Sequence, residues 1–194
     1  MAEDILEIRW HGRGGQGSKT ASILLGKIAA AAGKNIQAFP EYGPERMGAP
    51  VLAYTRIKDS EIHQHCQIQE PDVVVVLDPT LIGTVDVAGG MGEGGKLIIN
   101  SSRSPEQLRE EYDFPEHIEL YALDANKISE EEIGKPFPNT PMLGAVNKIT
   151  VMMDDRRFLQ QAKEEFGKKF AGRQEIIEGN INSVQRAYQE VKGA

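Results

Sequence analysis

His11-Gly12-Arg13-Gly14-Gly15-Gln16-Gly17-Ser18-Lys19-Thr20 joins an apolar run ending at Trp10 to a helix-like run starting near Ser18. Four glycines in the six positions from Gly12 to Gly17 let backbone approach where side chains would obstruct it. A loop of this kind turns consecutive N–H groups outward at the start of a helix, the arrangement that receives an anion, most often a phosphate. The same geometry lets another protein's backbone pack closely. Gly12, Gly14, Gly15, Gln16, Gly17 and Ser18 are therefore the candidate binding residues.

On either side of this loop the sequence reads as α/β. Asp4 to Trp10 is short and rich in β-formers, so a strand feeds the glycines. After them Ala21, Leu24, Leu25, Ile28, Ala31 and Ala32 fall at helical offsets and Gly33 supplies a stop. With a second strand at Asn35–Phe39 this makes one βαβ unit, whose crossover is expected to be right-handed and whose ligand face lies at the strand C-terminal ends. Three prolines and two glycines between Pro40 and Pro50 forbid a regular element. No helix separates Asn35–Phe39 from Val51–Ile57, so Val51–Ile57 is expected to run antiparallel to a neighbour.

Val73–Leu77 is apolar at every position, as a central parallel strand should be, and ends in Asp78-Pro79, followed by a short helix or turn. A second glycine cluster, Gly89–Gly95, precedes the strand Lys96–Asn100, on the edge opposite to the ligand face, and reads as a loop. Strand Ile118–Ala122 and the stretch Asp124–Glu132 continue the alternation until three prolines between Gly134 and Pro141 interrupt it. Beyond them lie three helical stripes: Met142, Val146, Ile149 and Met153; Phe158 or Leu159, Ala162, Phe166 and Phe170; and Ile181, Val184, Tyr188 and Val191. They read as packing faces. The expected fold is a single Rossmann-like α/β domain with a mixed, mostly parallel sheet, helices on both faces and a C-terminal helical extension. Residues 1–153 form the α/β unit and residues 154–194 the extension packed on it.

At 194 residues the chain has length for one good-sized core. Its net charge of −7, without a cluster of Lys and Arg, argues against a nucleic-acid binder. No apolar run approaches the roughly 18 residues that span a bilayer and no leader segment is evident, so the expected location is the cytoplasm, with no membrane partner. The single cysteine, Cys66, excludes an internal disulfide. In His63-Gln64-His65-Cys66, strand alternation would put both histidines on one face and the thiol on the other. No further Cys or His pair completes a metal set, so an ordinary strand end is expected and no metal is assigned.

Gly12-x4-Gly17 followed by Ser18-Lys19-Thr20 approaches the phosphate loop of nucleotide hydrolases, but the lysine must directly follow the second glycine and Ser18 intervenes. Gly12, Gly14 and Gly17 also match the dinucleotide pattern, for which only Glu41, reached through Pro40, would serve as the ribose-binding acid. No nucleophile motif, metal set or base-paired histidine supports catalysis by this chain alone, so no catalytic residue is assigned. Glu41, Tyr42, Gly43, Pro44, Glu45 and Arg46 sit beside the expected ligand face, either as an ordered surface turn or as a loop completing a site shared with another subunit.

Three segments together carry a resemblance: His11-Gly-Arg-Gly-Gly-Gln-Gly17, Glu41-Tyr-Gly-Pro-Glu-Arg-Met-Gly-Ala-Pro50 and Asn139-Thr-Pro-Met-Leu-Gly-Ala145. The chain resembles the gamma subunit of the 2-oxoacid:ferredoxin oxidoreductases over nearly its whole length. It is most similar to the pyruvate type (the pyruvate/ketoisovalerate gamma family), for which Arg13 and the step from Gly48 to Ala49 speak. The resemblance implies a multi-subunit enzyme that decarboxylates a 2-oxoacid on thiamine diphosphate, passes electrons through iron–sulfur clusters to ferredoxin and delivers the acyl group to coenzyme A. One cysteine does not hold a cluster that needs four thiolates, and no thiamine-diphosphate motif is evident. The resemblance therefore puts thiamine diphosphate, Mg and the clusters on alpha, beta and delta partner subunits, with ferredoxin met through the complex. This chain is then a docking subunit that contacts coenzyme A at a shared site, or a homodimer when isolated. The alternatives are a gamma subunit of a 2-oxoglutarate or 2-ketoisovalerate enzyme, or a stand-alone nucleotide-binding module.

Overall fold

A computed structural model describes residues 5–41 and 48–193. In chain order the elements are β1 (Leu6–Arg13), α1 (Ser18–Ala31), β2 (Asn35–Pro40), β3 (Pro50–Lys58), β4 (Val73–Val76), β5 (Lys96–Asn100), α2 (Pro105–Glu111), β6 (Glu119–Leu123), α3 (Ala125–Ile133), α4 (Asn139–Thr150), α5 (Asp155–Lys169), α6 (Gln174–Glu190) and β7 (Lys192–Gly193). Among the described residues the strands form one sheet in the order β2-β3-β1-β4-β5-β6-β7. β1, β4, β5 and β6 are mutually parallel, β3 is antiparallel to both β1 and β2, and β7 is antiparallel to β6. None of the described helices is long and apolar enough to cross a membrane.

Three sequence expectations change. The first strand starts at Leu6, the expected start at Asp4 lying outside the described residues, and runs past Trp10 to Arg13, because β3 offers ladder partners that far: Gly12 lies opposite Val51 and Arg13 opposite Pro50. Gly12 is thus a strand residue and the turn shrinks to Gly14–Gly17. The βαβ unit is split, since the antiparallel β3 occupies the place between β1 and β2. The segment around His63, His65 and Cys66 is not a strand end, for residues 59–72 form neither helix nor strand. Its backbone is met by a side chain instead of a ladder: Arg56, buried and paired with Glu7, donates from Nη1 to the Cys66 carbonyl at 2.7 Å. Among the described residues no group of three or more His, Cys, Asp or Glu side chains is placed to hold a metal ion.

Strand alternation divides the core into two layers. Ile8, Trp10, Ala53, Ile57, Val73, Val75 and Ile98 face α1 and α3 to α6, and Phe158, Phe166, Ile177 and Val184 of α5 and α6 belong to the same cluster. The Trp10 indole donates to Thr55 Oγ1 at 3.0 Å, and that hydroxyl donates to the Ser22 carbonyl at 3.1 Å, so β1, β3 and α1 are pinned through one buried relay. On the other side Val74, Val76, Leu97, Ile99 and Leu120 lie beneath Leu81, Ile82, Val87, Met91 and Leu108. That layer is supplied by the irregular segment after β4 and by α2, whose capping box pairs Ser104 with Gln107. Both faces of β4 are covered, which is why all four of its residues are apolar.

α4 and α6 approach closely at Gly144, where an added Cβ would stand 2.8 Å from the Val184 carbonyl oxygen and 3.0 Å from Ala187 Cβ. In α5, nothing lies within 4 Å of the equivalent position at Gly167. Replacing a helical glycine by alanine ordinarily gains about 1 kcal/mol, whereas overpacking costs about 1–3 kcal/mol. Gly144→Ala is therefore expected to lower the urea midpoint and Gly167→Ala to raise it, a difference of sign that equilibrium unfolding reads directly.

Candidate functional site

The C-terminal ends of β1 and β4 lie side by side where the strand order turns, with β3 and β2 beyond β1 on one side and β5 to β7 beyond β4 on the other. In open α/β sheets this switch point is where ligands bind. Asp78, one residue past Leu77 at the end of β4, closes it: its Oδ1 accepts from Thr80 N at 2.9 Å and Thr80 Oγ1 at 2.7 Å, and its Oδ2 accepts from Gln16 Nε2 at 2.5 Å and faces Arg13 Nε at 3.2 Å. Gln16 folds back, its Oε1 accepting from Arg13 N at 2.8 Å. Arg13 also donates to the Gly48 carbonyl at 3.1 Å and to Thr80 Oγ1 at 2.9 Å. Burial alone would raise the Asp78 pKa; the hydrogen bonds from Thr80 and Gln16 and the Arg13 charge outweigh it and hold the carboxyl below its ordinary value.

With Gln16 fixed, Gly15 (φ 97°) and Gly17 (φ 88°) take left-handed conformations and α1 starts directly from Gly17 with no side-chain cap. α4 starts behind Pro138 and α6 behind Arg173, again with no side-chain cap, whereas Ser104, Asp124 and Asp154 cap α2, α3 and α5. The three uncapped starts meet on one cavity of about 390 Å³, whose lining includes Gly17, Asn139 and Arg173. A Cβ at Gly17 would stand 3.0 Å from Nδ2 of Asn139, the first residue of α4, so only glycine leaves that space free. Each uncapped start carries a partial positive charge, although in α4 Thr140 N donates to Asn139 Oδ1 at 3.1 Å and Pro141 has no N–H.

The cavity adds Lys135, Lys169 and Arg173 and no carboxylate, while Phe137, Phe166 and Phe170 give it apolar walls. None of the three cations forms an ion pair among the described residues. Burial, and secondarily Lys27, lowers the Lys169 pKa, so this ammonium lacks a counter-charge that a bound anion would supply. Ser18, 2% exposed, keeps a buried hydroxyl with no hydrogen-bond partner. A Cβ at Gly12 would collide with that hydroxyl, so Gly12 serves the site by making room for the first turn of α1.

The sequence candidates therefore separate. Gly15, Gln16 and Gly17 line the cavity; Gly14 has its N–H committed to the Ala49 carbonyl at 2.9 Å, tying the turn to the start of β3. Glu41 points into a different cavity on the opposite layer, where its carboxylate accepts from Tyr54 Oη at 3.2 Å and Gln67 Nε2 at 3.0 Å. Tyr42, Gly43, Pro44, Glu45 and Arg46 lie outside the described residues. Lys135, Lys169 and Arg173 escaped the sequence reading, which placed Lys135 in the proline-rich break Gly134–Pro141 and read the later helices as packing stripes. The signal that marks them is the absence of Ser, Thr, Asp or Asn before α1, α4 and α6.

A carboxyl held below its unfolded pKa stabilises fully above that unfolded value, about 3.8, and the contribution is lost as pH falls through the folded value. Asp78→Asn is expected to lower the urea midpoint at about pH 6, with the deficit relative to the parent shrinking as pH drops below the ordinary carboxyl range.

Residues 7–190 match the family model described as pyruvate ferredoxin/flavodoxin oxidoreductase. The chain is 42% identical over 192 residues to pyruvate synthase subunit PorC of Thermotoga maritima, covering 99% of this chain and 97% of that one. It is 42% identical over 186 residues to the pyruvate/ketoisovalerate oxidoreductases common subunit gamma of Thermococcus litoralis, covering 96% and 97%. The crystal structure of the T. maritima pyruvate oxidoreductase subunit PorC superimposes with a TM-score of 0.83 at 38% identity over 99% of both chains. This chain belongs to the pyruvate ferredoxin/flavodoxin oxidoreductase family.

Proposed function

We propose that this chain is the gamma subunit of a pyruvate:ferredoxin oxidoreductase and that, within the complex, it receives coenzyme A. The full-length likeness to PorC and to the common gamma subunits supports the subunit assignment and pyruvate as the 2-oxoacid. Decarboxylation and electron transfer belong to the assembly: alpha, beta and delta partners hold thiamine diphosphate, Mg and the iron–sulfur clusters, and ferredoxin is reduced through them in the cytoplasm. This chain has one thiol, Cys66, which is exposed.

The observation that carries the coenzyme A role is the convergence of three uncapped helix starts and three unpaired cations on one cavity. Phosphate groups match that field, and the phenylalanine walls suit the uncharged remainder of the molecule. Gly15 lines the cavity in a left-handed conformation, with no atom within 4 Å of where its Cβ would stand, and fits a backbone cradle. A docking role without ligand is the second reading, favoured by Phe137, which is 46% exposed at the cavity mouth.

Co-purification with the partner subunits, followed by pyruvate- and coenzyme-A-dependent dye reduction compared with 2-oxoglutarate and branched 2-oxoacids, tests the assignment. In that complex Gly15→Asp and Lys169→Glu are expected to weaken coenzyme A at least about tenfold, roughly 1.4 kcal/mol, with the pyruvate KM unchanged. Unchanged affinity in both variants would leave only docking, and Gly15→Asp would then act on assembly alone. A lysine with a lowered pKa loses its charge earlier as pH rises. Coenzyme A affinity is thus expected to fall on the alkaline side, and Lys169→Gln to flatten that fall in a titration calorimetry series.

A further inference from the structure

The opposite face of β1 carries a second cavity, of about 620 Å³, that the coenzyme A reading does not use. Arg9 and His11 project there while Ile8 and Trp10 enter the helical layer. Arg9 is buried, and its guanidinium donates from Nε to His11 Nε2 at 3.0 Å and from Nη2 to the carbonyls of Gly89 at 2.6 Å and Val87 at 3.2 Å. It forms no ion pair among the described residues. Asp86 acts on it electrostatically without forming an ion pair, and a buried guanidinium without a paired carboxylate is costly. Since a guanidinium only donates, His11 Nε2 must accept, and the neutral imidazole carries its proton on Nδ1. Burial and the Arg9 charge push the His11 pKa down to about 3, which keeps the ring neutral. Arg9 Nη1 and His11 Nδ1 have no hydrogen-bond partner among the described residues, and neither is sealed from solvent.

The same lining holds Leu52, Ile68, Leu81 and Val85, the carboxylates of Glu41 and Asp86, and the ammonium of Lys19. We propose that this cavity is a binding site for a small monocarboxylate with a short apolar tail, its carboxylate held by Arg9 Nη1 and His11 Nδ1. The donors answer the carboxylate, the aliphatic wall answers the tail, and the two carboxylates Glu41 and Asp86, set against the single further cation Lys19, disfavour a second negative group. The lining reaches Lys19 in the first turn of α1 but shares no residue with the coenzyme A cavity.

Titration of the full chain with butanoate, butanamide and succinate, read by calorimetry, tests it. Saturable one-to-one butanoate binding is expected, with the amide and the diacid at least about tenfold weaker. His11→Phe, which removes the Nδ1 donor, and Leu52→Trp, which fills the cavity from the position opposite His11 in the β1–β3 ladder, should each weaken butanoate about tenfold or more and leave coenzyme A affinity unchanged. Absent saturation, equal affinity for the amide, or parental butanoate affinity in a folded Leu52→Trp would overturn the site.

Discussion

The carboxylate of Asp78 is the tie on which the upper edge of the sheet depends. It accepts from Gln16 and Thr80 and faces Arg13, so residues leaving β1 and β4 are bound to one charged group. Through Gln16 it sets the turn that points Gly15 and Gly17 outward, and through Arg13 it reaches the Gly48 carbonyl before β3. Charge-assisted hydrogen bonds are roughly twice as strong as neutral ones, and here they act where an α/β sheet is least supported by its own ladder. The glycines supply freedom at this point, and the carboxylate removes the excess of it.

Alternation along β1 then distributes the chemistry. One set of residues, Ile8 and Trp10, goes to the helical layer; the other, Arg9 and His11, goes to a cover made largely of irregular chain. On the helical side, three helices start without a side-chain cap around one cavity. A side-chain cap is worth about 1 kcal/mol, so these starts forgo stability that α2, α3 and α5 keep. Local rules broken together at one place are the mark of a site rather than of careless folding.

Much of the fold was legible because burial imposes periodicity. The stripe from Ala21 to Ala32 gave α1, the unbroken valines gave a central β4, and the missing helix between β2 and β3 gave an antiparallel strand. Gly12 and Arg13 do not look like strand residues, and their pairing comes from Val51 and Pro50 across the sheet, a long-range cause invisible in a local window. α2 was overlooked although Ser104 and Gln107 spell a capping box. For the site, the glycine turn was visible by composition, whereas Lys169 and Arg173 reach it from helices far along the chain. Their charges look like solvated surface until α5 and α6 are folded back.

The position of β3 between β1 and β2 also constrains how the chain reaches this structure. β1 and β2 are separated by α1 but share no ladder; β3 lies between them and pairs with both, β1 pairs further with β4, and the contact of Leu6 with Ile57 spans the whole first unit. The local β2–β3 pairing closes the shorter loop, and loop-closure entropy favours making it first. β1 then docks against an edge that already exists, and the parallel strands grow outward from it. A chain arrested before that docking step would present β3 as an unpaired edge, open to pairing with another chain.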